Sequence, residues 1–152
     1  MLGEDTKPPT RAAGVSGDAI IYHGALVGPA SDGYMAPATT AIRPTGVADL
    51  EMWNDQAFNG QAAGGTLQTP GYKIDATGVA DGVRKLVVRH GVIKCLNKSG
   101  DEVTAVLINA PVYVEDDQTV RATAAGTVVA GILHGFADDG LPLVLIESAA
   151  LA

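Results

Sequence analysis

Apolar residues fall in short runs separated by turn residues. The run AIIYHGALV (residues 19–27) is apolar and partly β-branched and is closed by Gly28-Pro29. GYMAPA follows Ser31-Asp32-Gly33, the pattern of a hairpin return across a tight polar turn. A longer stretch, VRKLVVRHGVIKCLN (residues 83–97), alternates Val83, Lys85, Val87 and Arg89 on one parity with Arg84, Leu86, Val88 and His90 on the other. Gly91 marks a bulge or bend inside it. PVYVE and TVRATA flank the acidic turn Glu115-Asp116-Asp117-Gln118, and TVVAGILHGF and LPLVLIE flank Ala137-Asp138-Asp139-Gly140, so each pair reads as a hairpin. VTAVLINA (residues 103–110) fits a strand or a short helical turn equally, because periodicity does not separate them over so few residues.

No segment sustains a 3.6-residue apolar period, so helix is expected to be minor. Short strands spaced by turn signals predict a mainly β protein, a small β-barrel or β-sandwich. Two regions break the pattern. Residues 1–17 lack periodicity, carry Pro8 and Pro9 in tandem and end in Gly14-Val15-Ser16-Gly17, which predicts a flexible N-terminal arm. Residues 49–71 hold the chain's single tryptophan, Trp53, one of its two phenylalanines, Phe58, and a loose run of Gly, Ala, Gln and Asn. A connection of that length predicts an inserted loop within a single β-rich domain spanning 18–152.

With 152 residues the chain has room for one domain and does not need a disulfide or metal to stabilise it. Its charged fraction of 18% lies below the ~25% of an ordinary soluble domain, which suits a surface partly covered by partners. The net charge of −7, with no cluster of Lys and Arg, gives a field that repels phosphate backbones, so no direct nucleic-acid partner is expected. The most apolar stretch, residues 128–137, is about half of the ~20 residues a membrane-spanning helix needs and is interrupted by Gly131, His134 and Gly135. No membrane partner is expected either. The N-terminal residues place acids and prolines where a signal peptide carries a basic end and an apolar core, so synthesis in a cytoplasm without an export signal is expected.

The residues with chemical potential do not form a known catalytic pattern. His23, His90 and His134 all fall in predicted strands and are scattered, and the lone Cys95 adds no ligand spacing, so no metal site is assigned. The pairs Asp116/Asp117 and Asp138/Asp139 have the oxygens for calcium binding or paired-carboxylate catalysis, but they sit at hairpin tips where Asp is favoured by turn geometry alone. Cys95, within IKCLN, reads as a buried small hydrophobe rather than a nucleophile. No glycine-rich phosphate loop, dinucleotide fingerprint or nucleophile elbow is present in the sequence, and no catalytic residue or cofactor is assigned.

Taken together, four stretches resemble the small phage capsid decoration, or cement, proteins. They are IIYHGALVGPASDGYMAPAT, GVADGVRKLVVRHGVIKCLN, PVYVEDDQTVRAT with its Val-Tyr-Val, acidic pair and Gln-Thr-Val, and AGILHGFADDGLPLVLI. The resemblance covers most of residues 18–146, and residues 49–71 look inserted relative to the family. It implies a β-rich, β-tulip-like body, a homotrimer, a place on the capsid exterior in contact with the major capsid protein, and no catalytic site. Within that reading the candidate contacts are Lys7, Pro8, Pro9 and Arg11 of the arm, whose extended backbone suits lying across a capsid subunit, and the aromatic Trp53 and Phe58 of the insertion. Two other classes compete: another virion module of the tail tube, baseplate or fibre, and a soluble β-barrel ligand-binding or enzymatic domain. The last predicts a concave pocket with convergent titratable groups.

Overall fold

The computed structural model describes residues 10–49 and 73–147. These residues form thirteen strands and a single 3-10 turn at Ala105–Leu107, so the described chain is mainly β. A five-stranded sheet has the order β1-β7-β5-β3-β4, from Thr10–Gly14, Lys85–Arg89, Gly46–Ala48, Leu26–Pro29 and Met35–Pro37. A six-stranded sheet has the order β8-β13-β12-β10-β11-β9, from Gly91–Lys94, Pro142–Ile146, Val129–Phe136, Pro111–Val114, Thr119–Arg121 and Leu96–Asn97. Strands β2 (Ile20–Tyr22) and β6 (Lys73–Asp75) pair as a separate ribbon.

Two cores place these sheets in layers. Leu26 and Val47 join Val112, Val114, Leu133, Val144 and Ile146 in one cluster, between the five-stranded and six-stranded sheets. Val27, Ala48, Leu86 and Val88 join Ile21 and Ile74 in the other, between the five-stranded sheet and the ribbon. Successive residues of β3 and of β5 therefore enter opposite cores, as the pleat requires. The middle sheet is covered on both faces, which is why its strands read as continuous apolar runs, with Leu86, Val87 and Val88 buried in succession. The outer sheet is covered on one face, and β13 alternates buried Pro142, Val144 and Ile146 with half-buried Leu143 and Leu145.

Several expectations from sequence change. Among the described residues no sheet closes into a barrel: β1 and β4, the edges of one sheet, approach only at the isolated Val15–Met35 bridge just past β1, where the Ser16 N–H donates to the Met35 carbonyl (2.8 Å), and β8 and β9 are the edges of the other. The stretch 83–97 is three strands divided between two sheets. The chain leaves the five-stranded sheet after Arg89 and enters the six-stranded one at Gly91, whose φ of 130° suits glycine. Its predicted bend is this change of sheet. The run 19–27 is also broken, into β2 and β3, by a turn closed by the Ala25 N–H donating to the Tyr22 carbonyl (3.1 Å). VTAVLINA contains the 3-10 turn rather than a strand.

The boundary of the predicted arm is corrected more sharply. Thr10–Gly14 is a strand in antiparallel register with β7, Thr10 opposite Arg89 and Gly14 opposite Lys85. Val15 is completely buried and exchanges backbone hydrogen bonds with its surroundings, donating to Arg84 (2.8 Å) and accepting from Gly82 (2.9 Å). Residues 10–17 are thus part of the body, because an apolar, small-residue stretch can satisfy its backbone on the edge of β7. Residues 1–9, and 50–72 with nearly all of the predicted insertion, lie outside the described residues.

Candidate interaction surface

The outward side of the six-stranded sheet is built by register. Val92 of β8 lies opposite Leu145 of β13, Leu145 opposite Ile132 of β12, and Ile132 opposite Pro111 of β10. Residues directly opposite in an antiparallel ladder share a face, so these four side chains form one row across four strands. The next row inward along the strands, Ile93, Val144 and Leu133, points to the core and is buried. The outward row is not covered: Val92 is 43% exposed and Ile132 39%. Val106, 87% exposed on the 3-10 turn, and Ile108 add apolar surface on a segment that lies against β12. Apolar side chains left exposed side by side are what interaction sites on protein surfaces are built from.

No residue of the row is charged, and ion pairs lie at two of its flanks. At one flank Lys94 Nζ meets Asp139 Oδ2 at 2.9 Å. The Lys94 ammonium, and then the Leu141 N–H, hold the Asp139 carboxyl below the ordinary carboxylate range. At the other flank Arg121 bridges two acids, Nε to Asp101 Oδ2 (3.0 Å) and Nη1 to Glu115 Oε1 (3.1 Å), and Lys98 Nζ takes the second Glu115 oxygen at 3.0 Å. Asp101 also accepts from the Thr123 hydroxyl at 2.7 Å. That bond, followed by the Arg121 guanidinium, lowers the Asp101 pKa. The centre of the face is therefore an uncharged strip between neutralised ion pairs, on a chain whose net charge is −7.

A concave site lies at the seam between the sheets, where the Leu26 N–H donates to the Asp117 carbonyl (2.7 Å). It encloses about 250 Å³ between buried Leu26 and Cys95 and the more accessible His23, Lys94, Leu96 and Gln118. Burial pushes the Cys95 thiol up to about 12, so it stays protonated at neutral pH and is a poor nucleophile.

Lys7, Pro8, Pro9, Trp53 and Phe58 lie outside the described residues. The Arg11 backbone is in β1 opposite Val88. Of the histidines expected in strands only His134 is in one, on β12; His23 is in the turn after β2 and His90 links β7 to β8. Among the described residues no three His, Cys, Asp or Glu side chains come together to hold a metal ion. The acidic pairs do serve their turns: Asp116 Oδ1 accepts from the Gln118 N–H (2.9 Å) and Asp139 Oδ1 from the Leu141 N–H (3.1 Å).

Sequence reasoning did not single out Val92, Pro111, Ile132 and Leu145. A signal for one of them was present in LPLVLIE, where both parities are apolar although only one can face a core. No family model, curated protein or solved structure matches the chain.

Proposed function

We propose that this chain is a structural virion protein, a decoration or cement protein that binds the exterior of a phage head through the major capsid protein and stabilises the shell, as a homotrimer. The observation that carries this reading is the uncharged row Val92, Leu145, Ile132 and Pro111 on the open side of the outer sheet. A protein that works by docking needs such a surface: an apolar centre free of unpaired charge, with a polar rim. The net charge of −7 suits an outer position away from packaged DNA, and the four sequence stretches quoted above supply the resemblance.

The experiment is a titration of the purified chain against undecorated heads and, separately, isolated tails, with Val92→Lys/Ile132→Lys as the variant. Both positions are solvent-facing, so the variant keeps its melting temperature within a few degrees. Losing two apolar contacts of ~1 kcal/mol each, and introducing charge, weakens head binding at least ~tenfold. Saturable binding to heads, lost in the variant, supports the proposal. Binding to tails alone moves the chain to another virion module, and equal head occupancy by variant and wild type removes the sheet face as the docking surface.

A further inference from the structure

We draw no further inference here: the strongest candidate, the pocket of about 250 Å³ where the turn after β2 meets β8 and β9, carries nothing, because its lysine, Lys94, is already paired with Asp139 and nothing in the structure shows what would fill it.

Discussion

Leu133 and Ile132 are neighbours in sequence on opposite sides of β12, and truncating each to alanine tests the register that sets the outer apolar row. Leu133 is fully buried between the six-stranded and five-stranded sheets, opposite Val144. Leu133→Ala removes the transfer free energy of its lost carbons and leaves a cavity that a layered β core cannot fully close. The cost expected is ~2.7–5 kcal/mol. For a chain of this size that corresponds to a fall in melting temperature of about 5–20 °C. Ile132 loses the same number of carbons, but it is 39% exposed and solvent fills the space it leaves. With ~0.8 kcal/mol per methylene-sized group and no cavity, Ile132→Ala costs at most ~1.5 kcal/mol. The assay is urea denaturation of both variants beside wild type, followed by fluorescence and circular dichroism, with the slope m used to check that the unfolding transition is comparable. A one-residue slip of β12 would exchange the two faces. Equal losses, or a larger loss for Ile132→Ala, would refute both the register and the assignment of the outer row.

Three further outcomes follow from particular contacts. Arg84 is only 8% exposed, its Nε makes one 3.3 Å bond to the Asp75 carbonyl, and its Nη1 has no hydrogen-bond partner among the described residues. Since an unsatisfied buried polar group costs ~1–3 kcal/mol, Arg84→Met leaves the melting temperature unchanged or raised, and a fall of more than several degrees contradicts this account. A Cβ at Gly131 would overlap the Leu145 carbonyl oxygen and stand 2.9 Å from Val144 Cγ1, so Gly131→Ala must push β12 from β13 and lose ~1–3 kcal/mol or more in the same urea assay; wild-type stability would show that the pair has slack. Because the Asp101 pKa is lowered by folding, its stabilisation is present above the ordinary carboxylate pKa of ~4 and is lost as pH falls through the lower folded value. Asp101→Asn is therefore expected to melt lower than wild type at pH 7 and to converge with it in acid, and a constant gap across pH would exclude this linkage.

How far each feature was legible follows from the range of the interactions that decide it. Strand-rich structure, minor helix and the hairpins at 111–121 and 129–146 are written locally. Acidic turn residues bond their own backbone two positions on, as Asp116 and Asp139 do, and β-branched runs on either side pair with each other. The burial of Cys95 was also legible, since a small apolar thiol in an apolar run has little reason to face water.

Tertiary structure decided the rest, because a strand's neighbours lie far away in the chain. Residues 10–17 look like an arm by composition, yet Thr10–Gly14 is held by β7, more than 70 residues away, whose edge supplies the partners its own sequence cannot. GALVGP and KLVVR read as apolar runs, and only the stacking of three layers shows that they are buried on both faces. The same fact explains the outer row. In LPLVLIE either parity would serve as the core face; register with β8 and β12 turns Val144 and Ile146 inward and leaves Leu145 beside Val92 and Ile132. Composition determines that apolar side chains are available, but the pleat and the ladder decide which of them water can reach, and that choice makes one side of this sheet a core and the other an exposed apolar surface.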